Sequence, residues 1–241
     1  MPEPAKDKDK SAKWLIEHHG DAILRLGGVT DLVRWQAAPA ELVLPTKLPD
    51  GLLFAWRAGR DHSEPFVVEI ATYPELRAAE QALRDLLLVY LVRGEVANVL
   101  VLVLRPKGQL RVPDHARRPS SDAATELGGR WRVVELWTIP AEPVLATADP
   151  GMMPWVPLMQ AAEPPEIVLR RCREVIDQHA PAEEHESLIT VTQVFTRLRY
   201  KDPNLLSILG GKIAMIESPL IRELTAERSH KHILKLGPAN Q

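Results

Sequence analysis

The chain has 241 residues, of which 45% are hydrophobic and 26% charged, as in an ordinary soluble globular protein. Its formal net charge of -2 excludes a strong overall attraction to nucleic acid, although a local basic surface is compatible with it. The single cysteine, Cys172, excludes an internal disulfide and a cysteine-rich metal site. With no apolar run long enough for a membrane span or a signal peptide, we expect a cytoplasmic protein with no membrane partner.

The N-terminal region predicts a tail followed by a helix. Residues 1–12 carry Lys and Asp without apolar periodicity, which is typical of a flexible tail. From Ser11 the spacing of apolar residues predicts a helix that ends at Gly27. Glu17 lies in this helix, where a solvated polar face is the alternative to a functional role. Residues 31–44 are ambiguous between a second helix and irregular chain, because a proline divides them.

The centre of the chain predicts two strands, a helix and a third strand. Apolar runs over residues 48–56 and 66–70 predict strands joined by a polar turn. Pro74 opens a helix to residue 92, whose apolar positions recur every three or four residues. Residues 98–105 predict a buried strand. The first two strands favour an antiparallel hairpin, and the strand–helix–strand order favours a parallel crossover. The expected fold class is α/β, a mixed central sheet with flanking helices.

The remainder of the chain is predicted to end in helices. Residues 113–129 are typical of a turn-rich loop, residues 130–136 of a half-exposed strand, and the proline-dense residues 138–160 of an extended segment. Amphipathic spacing then predicts four helices, over residues 164–179, 183–198, 204–215 and 219–234. The predicted organisation is a tail (1–12), an α/β core (13–160) and a helical C-terminal extension (161–241).

Two acidic residues interrupt or precede the apolar strands of the core. Glu69 lies within the run PFVVEIA, where a carboxylate must be paired or bind a cation to offset its lost hydration. Asp50 stands at the start of the preceding strand. Carboxylates from adjacent strands can hold Mg²⁺ and support hydrolysis of a phosphate ester. The alternatives are that Asp50 belongs to an ordinary Pro-Asp-Gly turn and that Glu69 pairs with Arg77 or Arg84.

This arrangement of acids and elements resembles the PD-(D/E)XK nuclease superfamily, in particular its transposase-like, recombination-promoting branch. The resemblance covers residues 11–140, and residues 216–228 are similar to the helical tails of its members. It implies a restriction-endonuclease-like core that hydrolyses DNA with Mg²⁺, or alternatively Mn²⁺. It also implies that Asp50, Glu69 and the backbone carbonyl of Ile70 bind the metal, with Glu17 as the acid of the N-terminal helix.

One position departs from the family pattern. Two residues after Glu69, members carry Lys or Gln to orient the attacking water, whereas this chain has Ala71. Alanine has no donor, and the loss of one preorganised donor costs about two to three orders of magnitude in rate. Gln81 is the candidate substitute, with Arg77 one turn before it, and a solvated helix edge is the alternative for it. Tyr73 is placed at the mouth of the site, with a packing role as its alternative.

Two functions therefore remain open from the sequence. The first is a metal-dependent DNA endonuclease with an altered catalytic centre, formed by Asp50, Glu69 and Gln81. The second is a catalytically inactive interaction or nucleic-acid-binding module that keeps the nuclease fold. In that case the C-terminal helices would contact a partner or a second copy of the chain, forming a homodimer.

Overall fold

The computed structural model describes residues 4–38, 49–119, 125–200 and 202–210. The chain divides into two compact units. The first, which we call the sheet unit, consists of Ser11–Ala141 and Leu158–Gln160. The second, the helical unit, consists of Met1–Lys10, Glu142–Pro157 and Ala161–Gln241.

The sheet unit is built on a five-stranded mixed sheet in which the strand order is β1-β2-β3-β4-β7. Its strands are β1 (Leu32–Ala38), β2 (Gly51–Arg57), β3 (Ser63–Ala71), β4 (Asn98–Val103) and β7 (Arg132–Glu135). Strands β1, β2 and β3 pair antiparallel, whereas β4 is parallel to both β3 and β7. The prediction of a mixed α/β sheet with flanking helices is confirmed at this level.

Helices cover both faces of the sheet. Helix α3 (Leu76–Arg93) packs its alanine-rich side on one face, against alternate residues of β4 such as Val99 and Val101. The intervening Leu100 faces the other way, because side chains alternate along a strand. Its side chain lies against the end of α2 (Gly20–Leu26), so closely that a Cβ on Gly27 would lie 2.7 Å from it. On that same face, α1 (Pro4–His18) places Ile16 against the first residue of β2.

The structure corrects the prediction for two segments of the sheet unit. Residues 31–44, whose sequence is ambiguous, contain β1, and this strand is stabilised by its antiparallel pairing with β2. The predicted loop over residues 113–129 contains β5 (His115–Pro119) and β6 (Glu126–Arg130), a two-stranded antiparallel ribbon beside α3. Its polar, glycine-containing strands have no apolar alternation to detect, so only their pairing and their packing on α3 define them.

Two further segments also differ from the prediction. Helix α1 begins at Pro4, within the predicted tail over residues 1–12. Its Lys and Ala residues favour a helix by intrinsic propensity, a signal that apolar periodicity does not capture. Residues 138–160, predicted as extended chain, instead include the helix α4 (Ala141–Ala146) and a 3-10 turn over Met153–Leu158. Pro157 lies inside the 3-10 turn, because the fixed φ of proline, about −65°, is also compatible with a helical turn. The prolines therefore do not enforce an extended chain here.

The helical unit contains α5 (Pro165–His179), α6 (Ala182–Tyr200) and α7 (Pro203–Ile208). Its core includes Trp155 and Phe195, whose ring centroids are 5.1 Å apart. Burial raises the pKa of Cys172 to about 12, so this thiol behaves as a packing residue. The predicted helix over residues 219–234 and the end of the one over 204–215 lie outside the described residues. Across the part of the chain that is described, no helix is both long and apolar enough to cross a membrane.

Candidate active site

The pairing of β2 with β3 brings Asp50 beside Glu69. Gly51 pairs with Val68 in this antiparallel register, so the residue before Gly51 lies next to the residue after Val68. The backbone N–H of Ile70 donates a hydrogen bond of 2.9 Å to Oδ2 of Asp50. This bond fixes the orientation of the Asp50 carboxylate at the edge of the sheet where β3 ends.

A third carboxylate, which the sequence did not single out, comes from α3. Asp85 is completely buried, with 0% of its surface exposed. Glu69 faces α3, because Val67, two residues earlier on β3, belongs to the apolar cluster beneath that helix. Burial, followed by the charges of Asp50 and Asp85, raises the pKa of Glu69 to about 9. Burial likewise raises the pKa of Asp85 to about 6.

The carboxyl groups of Glu69 and Asp85 affect each other: the charge of Asp85 raises the pKa of Glu69, and hydrogen bonding from Glu69 lowers the pKa of Asp85 against the larger effect of burial. Ionised carboxylates only accept hydrogen bonds, so this bond requires a proton on one of the two. Glu69 has the higher pKa and is therefore the donor in the cation-free protein. Oδ1 of Asp85 accepts a 2.8 Å hydrogen bond from Nε2 of Gln81, whereas its Oδ2 is buried without a hydrogen-bond partner from a neutral or basic group. A bound cation would supply the missing counter-charge.

Two basic groups act on this cluster from opposite sides. Nζ of Lys13, on α1, lies 3.8 Å from Oδ1 of Asp50 and lowers the pKa of Glu69 through its charge. Arg84, on α3, lowers the pKa values of both Glu69 and Asp85. Neither Arg84 nor Arg77 forms an ion pair with Glu69 among the described residues, and Arg84 acts on Glu69 through its charge alone.

The other predicted site residues fall into different surroundings. Gln81 hydrogen-bonds Asp85 and accepts a hydrogen bond from Nη2 of Arg84, so it belongs to the carboxylate network. Tyr73 has Arg105 and Lys107 over its ring, each 5.8 Å from the centroid. Arg77 is exposed on α3, and Glu17 is exposed on α1, one turn beyond Lys13.

Ile70 and Ala71 occupy the two positions after Glu69. Ile70 enters the site through its N–H group, and the metal-binding role of its carbonyl stays a prediction. Ala71 packs against the apolar cluster beneath α3. Its methyl group offers neither a donor nor a charge to the carboxylates.

The residues suit one hard divalent cation that keeps several waters. Mg²⁺ binds through one or two carboxylates and fills its other positions with water and phosphate. Asp50 and Glu69 supply two such carboxylates, and their mutual repulsion together with the orphaned oxygen of Asp85 favours a positive charge between them. Within the described ranges, no three or more His, Cys, Asp or Glu side chains are arranged to hold a metal ion by themselves.

Comparison of the chain with protein-family models, with curated proteins and with solved structures finds no match. The functional interpretation therefore depends on the carboxylate cluster and its surroundings.

A signal for Asp85 was present in the sequence. Ala78, Ala82, Asp85 and Val89 follow the spacing of four, three and four residues that marks one buried stripe of a helix. A charged residue inside such a stripe is as unfavourable as one inside a buried strand, and it indicates a site for the same reason. Lys13 had no comparable signal, because its contact with Asp50 depends on how α1 packs against β2.

Proposed function

We propose that the chain is a metal-dependent DNA endonuclease that hydrolyses phosphodiester bonds with a PD-(D/E)XK-like core. The observation that carries this proposal is the meeting of Asp50 and Glu69 at the adjacent ends of β2 and β3, with the buried Asp85 behind them. Buried carboxylates with raised pKa values are concentrated at functional sites.

The order of elements supports the same proposal. A helix precedes a strand that begins next to Asp50, a strand that contains Glu69, the crossover helix α3 and the parallel strand β4. This is the order that the resemblance implies for a restriction-endonuclease-like core. The antiparallel β2–β3 pair places both acids at the end of the sheet where β3 finishes, and the parallel β3–β4 pair completes the order of the core.

In this proposal Asp50 and Glu69 hold Mg²⁺, with Mn²⁺ as the alternative, and the carbonyl of Ile70 completes the protein ligands. When bound, a divalent cation polarises the phosphate and lowers the pKa of a coordinated water. Glu69 must be ionised to act as a ligand, so it gives up the proton that it shares with Asp85. The N–H of Ile70 keeps the Asp50 carboxylate oriented throughout.

Two residues can replace part of what Ala71 lacks. Lys13 brings an ammonium group to within 3.8 Å of Asp50, where it can stabilise negative charge on a bound phosphate. Gln81 donates one amide hydrogen to Asp85 and has a second for a water or a substrate oxygen. Both would act as positioning groups at the edge of the carboxylate cluster.

The packing of Ala71 favours a second candidate function. Because this position is apolar and contacts the cluster beneath α3, the residue that orients water in the family has no counterpart there. A chain of this kind can keep the fold and bind DNA or a second copy of itself without cleaving. We therefore retain a catalytically inactive nucleic-acid-binding or interaction module as the alternative.

A nicking assay separates the two functions. Supercoiled plasmid incubated with the wild type and Mg²⁺ or Mn²⁺ should be nicked, and Asp50→Ala and Glu69→Ala should each reduce the rate by about two orders of magnitude or more. Glu75→Ala is the matched control, because Glu75 is an exposed acid before α3 whose side chain makes no capping bond. Nicking that survives both site substitutions would contradict the site, and a wild type without nicking would support the inactive module.

A further inference from the structure

A basic groove lies immediately beside the carboxylate cluster. It has a volume of about 420 Å³ and is formed by one side of α3 together with β5. Arg77, Gln81 and Arg84 line it from α3, and Arg118 lines it from the ribbon. The volume lies within the range of ordinary ligand sites.

The charge of the groove is positive. Arg118 forms a 2.6 Å ion pair with Glu80, the acidic residue of the lining, so this pair is neutral overall. Arg77 and Arg84 form no ion pair with a carboxylate among the residues that the structure describes. Two guanidinium groups thus line the groove without an ion-pair partner, and a guanidinium matches the geometry of a phosphate with two parallel hydrogen bonds.

Gln81 connects the groove to the cluster of acids. Its Oε1 accepts from Arg84, which lines the groove, and its Nε2 donates to Asp85, which hydrogen-bonds Glu69. Arg84 also lowers the pKa values of both acids, so its charge acts at the cluster as well as in the groove. An anion bound in the groove therefore lies next to the position proposed for the cation.

We propose that this groove binds backbone phosphates of the DNA strand next to the phosphodiester that is cleaved. The inference rests on the proposed function and adds the surface that holds the substrate. Arg77 and Arg84 lie two turns apart on α3, about 10 Å along its axis at 1.5 Å per residue, so they can contact different phosphates of one strand. Arginine contacts to phosphate position a duplex without reading its sequence.

Binding of a fluorescent 20-base-pair DNA duplex, measured by anisotropy in EDTA at several NaCl concentrations, tests the groove without cleavage. Arg77→Ala/Arg84→Ala should weaken binding about tenfold or more at low salt and reduce the slope of log affinity against log salt by about 2, or about 0.9 for each lost contact. The matched control is Arg25→Ala/Arg60→Ala, which removes the same charge from exposed arginines on α2 and the β2–β3 turn and should change the slope little.

Further variants and outcomes distinguish a failure of the groove proposal from misfolding of a variant and from failure of the proposed nuclease function. Arg77→Ala alone leaves the Arg84–Gln81 bond in place and should lower the slope by about 1. Equal slopes for groove and control variants, or tighter binding of an RNA duplex than of DNA, would overturn the inference. DNA binding that depends on the groove in a wild type that does not nick would overturn the nuclease but not the groove. A wild type that nicks DNA, together with groove variants that nick and bind DNA as the wild type does, would overturn the groove but not the nuclease.

Discussion

The Glu69→Gln variant should be more stable than the wild type at pH 8 in the absence of divalent cations, by about 2 to 4 kcal/mol. Burial and the charges of Asp50 and Asp85 raise the pKa of Glu69 from 4.5 to about 9 in the folded protein. Glutamine keeps the size of the side chain and the ability to donate a hydrogen bond to Asp85. It has no carboxyl group to ionise in the unfolded state.

The sign of the effect follows from where the proton is bound. Below pH 4.5 Glu69 is protonated in both states, so its contribution to stability does not vary. Between pH 4.5 and about 9 the unfolded chain loses the proton and the folded chain keeps it, so the stability of the wild type falls as the pH rises. Above about 9 this loss is complete.

Urea denaturation at several pH values between 5 and 8, in EDTA, measures this difference. The free energy of unfolding of the wild type should fall more steeply with pH than that of Glu69→Gln. Glu75→Gln, which removes an exposed carboxylate near the start of α3, should follow the wild type. Parallel curves for the wild type and Glu69→Gln would show that Glu69 is ionised in the folded protein and would contradict the carboxylate cluster.

Divalent cations should stabilise the wild type at pH 8 by about 2.7 kcal/mol when present at one hundred times their dissociation constant. The physical reason is that a bound cation supplies the charge that the acids lack and lets Glu69 ionise in the folded state. The effect should weaken toward pH 5, because the proton on Glu69 then competes more strongly with the cation.

Asp50→Asn and Glu69→Gln should each abolish most of this stabilisation. Thermal denaturation with MgCl₂ or MnCl₂, against NaCl at equal ionic strength, gives the measurement. Glu75→Gln again serves as the control and should respond as the wild type does. Equal stabilisation of all four proteins would place the bound cation somewhere other than the carboxylate cluster.

The central part of the fold could be predicted because its signals are local. Glu69 interrupts an apolar strand, α3 has a clear amphipathic period and β4 is a continuous apolar run, and each pattern specifies one element. The strand–helix–strand order then indicates a parallel pair, and the acids meet because the two strands that carry them are neighbours. The pair Asp50 and Glu69 could therefore be inferred before any coordinates were known.

The missed elements depend on contacts between segments distant in sequence. The ribbon of β5 and β6 carries glycine and arginine where a strand pattern needs apolar residues, and its order comes from pairing and from α3. The proximity of Lys13 to Asp50 likewise depends on the packing of α1. Asp85 is different, because its position in the buried stripe of α3 made it accessible to the same reasoning that found Glu69.

The choice between the two candidate functions depends on Ala71, which stands where the nuclease family carries Lys or Gln. In the structure its methyl group packs against the apolar cluster beneath α3, so this position has a packing role and no catalytic one. Whatever orients a water in this chain must come from another element. Lys13 and Gln81, which approach the acids from opposite sides, are the residues that the structure offers for that role.

The most direct test of the cation site is a crystal structure of the protein with Mn²⁺ at pH 8, recorded with anomalous scattering. The proposed site predicts one anomalous peak between the carboxylates of Asp50 and Glu69, with metal–oxygen distances close to the roughly 2.1 Å typical of small hard cations. It also predicts that the proton between Glu69 and Asp85 is gone, so that the Glu69 carboxylate turns toward the metal. A peak elsewhere, or crystals in which both carboxylates remain without a metal, would contradict it.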